Sequence, residues 1–308
     1  MRIVNNSVTP LNITEPGKKI EYAGRVCYKS ESKISDDSYV KFITNIISNG
    51  HTSVLEHEGF AVQIPYTLYK QWFADAAPTK FMNITDAGEG NIVMSSNIRG
   101  WLDYYNSLEN GVYTDSVKAL LSKKYPYIFK APEYESRSIF NLAKEVDIKS
   151  LSPADRKVHE IRTFVIVGSR AFTHQIVRHR TLSFSQQSQR YCNFSNEKFG
   201  HSIDFILPQD SEIGIEDKAK ARARAMLEAA YQVSETEYFD LVDMGVRPET
   251  ARSVLPNAAA SIIVVSGTIA NWDKFFKLRC DPHAQAEIRL IANKIRSEIY
   301  NTSGEING

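Results

Sequence analysis

Residues 161–180 read Ile161-Arg162-Thr163-Phe164-Val165-Ile166-Val167-Gly168-Ser169-Arg170-Ala171-Phe172-Thr173-His174-Gln175-Ile176-Val177-Arg178-His179-Arg180. The first seven are mostly β-branched or aromatic and predict a strand over 161–167. Ser169 can cap a helix start, so a helix is expected from there to about Arg180. A polar loop follows, with Thr181, Ser183, Ser185, Gln186, Gln187, Ser188 and Gln189.

Charge makes this stretch unusual. From 161 to 196 there are five arginines (Arg162, Arg170, Arg178, Arg180, Arg190) and two histidines (His174, His179), and no Asp or Glu. Burying uncompensated charges costs several kcal/mol each, so the arginines either face water or await an anion. The planar guanidinium fork suits phosphate. The serine and glutamine loop adds neutral donors and acceptors of the kind a polar heterocycle needs. A ligand site, a solvated basic surface and a nucleic-acid surface all remain open on composition. The last is least favoured, because lysines and interleaved aromatics are lacking.

Helical spacing recurs upstream at 16–29 (Ile20, Ala23, Cys27) and at 36–49 (Tyr39, Phe42, Ile43, Ile46, Ile47), the latter after Ser35 and closed by Gly50. A loop, His51-Thr52-Ser53-Val54-Leu55-Glu56-His57, leads to a strand over 59–64. Residues 68–158 are expected to be less regular, broken by Pro78, Pro126, Pro132 and Pro153. Downstream, a long helix over about 217–244 carries Leu227, Tyr231, Ser234, Tyr238 and Leu241 on one stripe and ends at Gly245. Pro248 can start a shorter helix. A strand over 261–266 and a last helix over 283–300 complete the pattern. Two self-similarities stand out. His57-Glu58 before Phe60-Ala61-Val62 echoes His159-Glu160 before Phe164-Val165-Ile166. Ile92-Val93-Met94-Ser95, then Ile98, Trp101, Tyr104 and Tyr105, echoes Ile263-Val264-Val265-Ser266, then Ile269, Trp272, Phe275 and Phe276. Either two units share ordinary packing needs or the chain holds a partial internal duplication.

The bulk properties set limits. Across 308 residues the net charge is +1, with 43% hydrophobic and 24% charged residues, so anion binding must come from local clustering. No leader-like start and no spanning apolar run is present, and the three cysteines (Cys27, Cys192, Cys280) lack metal-like spacing. A cytoplasmic protein without metal, membrane or nucleic-acid partners is expected, its cysteines structural.

Arg178-His179-Arg180, Ser183, Ser188 and Arg190-Tyr191 together resemble the signature of flavin-dependent thymidylate synthases. His51 through His57 is similar to that family's His-x-(Ser/Thr)-x-x-Glu-His loop. Gly245 through Pro256 resembles its Ala-Arg-x-x-Leu-Pro segment, and Phe276 to Arg279 with His283-Ala284-Gln285 its last block. Ser185 departs from the asparagine of many members. The 102 positions from His57 to His159, nearly absent in compact members, are a larger departure. The resemblance implies an α+β fold, a mixed or antiparallel sheet packed with long helices. It also implies one domain over 1–308 with an insertion or extra subdomain at about 68–158.

The implied activity is reductive methylation of dUMP to dTMP. The carbon donor is 5,10-methylenetetrahydrofolate, and FAD reduced by NADPH is the hydride source. FAD contacts fall on Ser53, Arg178, His179, Arg180, Gln186, Thr268, Ile269, Ala270 and Lys274. Contacts to dUMP fall on Gln175, Arg178, Gln186, Ser188, Gln189, Arg190, Arg252 and Arg279. Arg279 is the implied catalytic group, a fixed cation that stabilises negative charge on the pyrimidine. Ser188 is read as orienting substrate, and His51 as lining the folate side. Helix and loop come from different subunits in this family, which implies a homotetramer. No glycine-rich dinucleotide fingerprint is present, so the flavin is not held in Rossmann fashion. A catalytically silent nucleotide- or flavin-binding paralogue is the alternative. An RNA-binding helix is a third reading.

Overall fold

The computed structural model describes residues 1–70, 81–107, 114–132 and 142–301. These form β1 (Arg2–Val4), β2 (Ser7–Pro10), α1 (Lys18–Val26), α2 (Ser38–Ser48), β3 (Gly59–Pro65), α3 (Tyr66–Leu68), β4 (Asn83–Gly88), β5 (Asn91–Asn97), α4 (Ile98–Ser107), α5 (Thr114–Lys124), β6 (Lys144–Glu145) and α6 (Pro153–His159). The chain continues through β7 (Ile161–Ser169), α7 (Arg170–Ile176), β8 (Ser183–Gln186), β9 (Asp204–Ile206), α8 (Asp210–Ile213), α9 (Asp217–Asp243), α10 (Pro248–Ala251), β10 (Ala260–Thr268), α11 (Ile269–Arg279) and α12 (Ala286–Asn301).

Two four-stranded antiparallel sheets, ordered β2-β7-β10-β8 and β4-β5-β3-β6, organise the α+β fold, with a small parallel β1–β9 pair beside them. The expected irregularity of 68–158 is therefore corrected in its described part, which supplies three strands and most of one sheet. Proline punctuates the ends of these elements, whereas strand pairing depends on partners distant in sequence. One core packs Phe164, Ile166, Phe172, Trp272 and Phe275 with α12; a second packs Phe60, Val62, Trp101 and Tyr125.

Ser169 caps α7, its Oγ accepting from Phe172 N at 3.0 Å, and Glu287 receives both the Ser169 amide (2.8 Å) and hydroxyl (2.5 Å). The helix stops at Ile176, short of the expected Arg180. Beyond it the amides of Arg178 and His179 reach back only three residues, to Gln175 and Ile176. The chain thus tightens and turns so that Leu182 can bury itself against Gly267, where a Cβ would stand 2.3 Å from Leu182 Cδ2. Ser35 is not the cap of α2; its amide instead donates to Ser38 Oγ, which donates to Glu21. The loop at 51–57 is a 3₁₀ helix over Thr52–His57, and Gly245, at φ 90°, ends α9 in the left-handed region. The last helix begins at Ala286 rather than 283.

The self-similarities resolve in favour of duplication. In the β3–β5 pair Gly59 faces Asn97 and Ala61 faces Ser95; in β7–β10 Ile161 faces Thr268 and Thr163 faces Ser266. A shift of 102 positions carries β3 onto β7, and 171 carries β5–α4 onto β10–α11, in the same register. Equivalent bonds follow. Trp101 Nε1 donates to Phe60 O (2.9 Å) and Trp272 Nε1 to Arg162 O (3.1 Å). Asn97 and Thr268 each cap the helix after them through Gly100 and Asn271.

The two units also interlock reciprocally. His57, ahead of β3, meets Ser266 and Ser185 of the other unit at 2.8 Å each. His159, ahead of β7, meets Ser95 at 2.6 Å and Thr85 at 2.9 Å in the first. Shared packing needs alone do not produce a reciprocal exchange between equivalent positions.

Candidate active site

The turn after α7 gathers one set of the predicted residues. Arg178 and Arg180 are exposed and make no side-chain hydrogen bond or ion pair among the described residues. His179 is half-buried, its ring edge-on to Phe275 at 4.9 Å, and its Nε2 accepts from Arg279 Nε at 2.9 Å. An Nε2 that accepts carries no proton, so the histidine is neutral with its proton on Nδ1. Burial, then the Arg279 charge, pushes the His179 pKa down to about 4. The Arg279 guanidinium is thus aimed by a neutral acceptor and has no carboxylate among the described residues. Gln175 hydrogen-bonds Gln285 on the same side.

A second set gathers around Glu249 and the loop after β8. Ser188 Oγ accepts from the amides of Arg190 (3.2 Å) and Tyr191 (3.4 Å) and has no base partner among the described residues, which suits an orienting role. Arg190 Nε pairs with Glu249 at 3.1 Å, and Arg252 Nε donates to the Glu249 backbone oxygen at 3.1 Å. Gln186 Nε2 reaches Thr173 (3.1 Å) and Ser261 (3.0 Å). Gln189 Nε2 is buried without an acceptor among the described residues, so this loop holds a donor still to be matched. Arg170 belongs here too, because burial and then Arg252 lower its pKa. It was visible among the five arginines, yet only the fold brings it beside Arg252.

One expectation needs correction. Arg162 and Arg190 are not without acidic partners: Arg162 meets Glu160 at 2.8 Å and Arg190 meets Glu249. Both carboxylates lie outside 161–196, so the local charge count missed them.

Thr268 and Lys274 line a polar cavity of about 150 Å³ between the two units, with Thr181, Asn97, His159 and Glu56 among its other walls. Ala270 is not part of its lining. His51 and Ser53 are exposed at the start of the 3₁₀ helix Thr52–His57, which packs on α1, α4 and β8. The three cysteines are free, with thiol pKa values raised by burial, as structural residues require. Among the described residues no cluster of metal ligands occurs, and no helix is long and apolar enough to cross a membrane.

The profile of a family described as thymidylate synthase complementing protein matches residues 11–74 and 158–302. The chain belongs to this family. The unmatched segment between the two blocks holds β4, β5, α4 and α5, the greater part of the extra unit. Flavin-dependent thymidylate synthases of Geobacter sulfurreducens and Sulfurisphaera tokodaii are 42% and 39% identical over 146 and 142 residues. Those alignments cover 47% and 46% of this chain, and 59% and 51% of the relatives. The chain thus spans about half the length of the curated relatives it matches. A solved UMP/dUMP methylase from Streptomyces cacaoi, bound with 5-Br UMP, aligns at a TM-score of 0.45 and 15% identity, covering 97% of this chain and 91% of that one.

Proposed function

We propose that this chain methylates dUMP to dTMP as a flavin-dependent thymidylate synthase, with methylenetetrahydrofolate as carbon donor and NADPH as reductant. The observation that carries the reading is Arg279, a half-buried guanidinium held by neutral His179 and lacking a carboxylate among the described residues. A fixed cation of this kind stabilises negative charge spread over a uracil imide, which makes the ring's 5-carbon nucleophilic without a covalent cysteine. The raised thiol pKa values of Cys192 and Cys280 fit that division of labour.

The residues present suit a flavin dinucleotide. Arg178 and Arg180 offer unpaired cations to a diphosphate, and Thr268 and Lys274 face a polar cavity beside Thr181. Bound FAD supplies the hydride that completes the methyl group. Ser53, Gln186 and Ala270 complete the flavin set carried from the resemblance, and His51 lines the folate side. Gln175, Gln186, Ser188, Gln189, Arg190 and Arg252 bind and orient dUMP, the arginines taking its phosphate. That role requires Arg190 to exchange Glu249 for phosphate, a modest demand because both side chains are well exposed. The resemblance supports a site completed by a second copy within a homotetramer, in the cytoplasm.

The test is dUMP-dependent NADPH oxidation with dTMP as product, together with rescue of a thymidine-requiring bacterial strain. Flavin binding without turnover would leave the silent-paralogue reading in place instead.

A further inference from the structure

Helix α9 carries two stripes, and the chain itself covers only one of them. Leu227, Tyr231, Tyr238 and Leu241 pack with Phe205 in the core. About a third of a turn away lies a second stripe, Arg222, Met226, Ala229, Ala230, Val233 and Glu237, within an arc of about 100°. All six are exposed, Met226 at 64% and Val233 at 60%. Scattered apolar residues are ordinary on a surface, but four in helical register along one face form a seam.

The charges on α9 run against the helix dipole. Its four cations, Lys218, Lys220, Arg222 and Arg224, all precede Met226, and its acids apart from Asp217 all follow it. The dipole favours the reverse, acids at the N-terminus and cations at the C-terminus. Such an order suits a partner helix running the other way, each basic half beside an acidic half. A helix with that pattern is α9 itself. Met226 and Val233 lie equally far from the midpoint between Ala229 and Ala230. So do Arg222 and Glu237, and, at the two ends, exposed Ile215 and Met244. Arg222 and Glu237 have no ion pair among the described residues.

We infer that α9 is a twofold interface, pairing antiparallel with α9 of a second copy about the Ala229–Ala230 midpoint. In such an isologous contact Met226 meets Val233 twice, and Arg222 meets Glu237 twice. The alanines at the axis let the two helices, each about 40 Å long, approach to about 8 Å. α9 thereby supplies one of the twofold contacts of the homotetramer proposed above, on which this assignment rests for the number of copies.

The test follows assembly of the full chain by light scattering and sedimentation, with thermal melting as a check of folding. Met226→Asp puts a carboxylate into the seam at a position exposed in the single chain, and should halve the assembled mass. Arg222→Glu sets like charges opposite each other at two places and should weaken association about tenfold. Adding Glu237→Arg restores both pairs and should recover the loss; failure to recover it overturns the proposal. Oxidation of Ala230→Cys should join two copies, because the introduced thiols meet beside the axis. Glu237→Cys should not, since its two copies stand about 22 Å apart along the helices. Wild type is the control, its three cysteines being buried or half-buried. Cross-linking of Glu237→Cys as efficient as that of Ala230→Cys overturns the antiparallel pairing. A wild-type tetramer whose mass Met226→Asp leaves unchanged overturns the α9 interface, gives the stripe to a different partner and leaves the shared site standing. A wild-type monomer overturns both.

Discussion

Acid should loosen this fold at its seam, by an amount that follows from two buried histidines. His57 is 0% and His159 2% exposed, and each spends both ring nitrogens on hydroxyls of the opposite unit. Burial pushes their pKa values down to about 3 and about 4, from an ordinary 6.5. In the unfolded chain both take a proton near pH 6.5, while the folded chain refuses it until much lower pH. The unfolded state therefore binds more protons through this window, and stability falls as pH falls. Between pH 7 and pH 5 each histidine contributes about 2 kcal/mol of loss, so the pair contributes about 4 kcal/mol. That is a large share of a typical 5–15 kcal/mol total. Urea unfolding at pH 7, 6 and 5, at fixed protein concentration, measures it. His159→Gln should retain only about half of the pH dependence. Stability that is flat from pH 7 to 5, or an unaltered slope in His159→Gln, would refute the assignment of two neutral histidines to the seam.

Other expectations concern the site and its supports. Arg279→Ala should keep bound FAD and lose roughly 10²–10³-fold in dTMP formation, the scale of removing one preorganised donor from a developing charge; retained methylation would refute its role. Gly267→Ala brings a Cβ to 2.3 Å from Leu182 Cδ2 between packed elements, so chemical denaturation should show a loss of about 1–3 kcal/mol. Sizing by light scattering should give a tetramer, and a fully active monomer would contradict a site shared between copies. Ser169→Ala removes the α7 cap and strands one oxygen of buried Glu287, for a loss of about 1–3 kcal/mol in thermal unfolding.

The sequence alone determined whatever depends on local spacing. The β-branched run at 161–167 made a strand, the Ser169 hydroxyl a cap, and the stripe from Leu227 to Leu241 a long helix ending at Gly245, because these signals act over a few residues. Tertiary structure decided who meets whom. Glu160 and Glu249 reach Arg162 and Arg190 from outside the stretch, Arg170 comes to lie beside Arg252, and His179 holds Arg279 from 100 residues away. The duplication was only a faint echo in the residues, because two units need share little more than apolar periodicity to adopt one register. What revealed it was the exchange of histidines across the seam, a contact between positions 64 to 209 residues apart that no local pattern can encode.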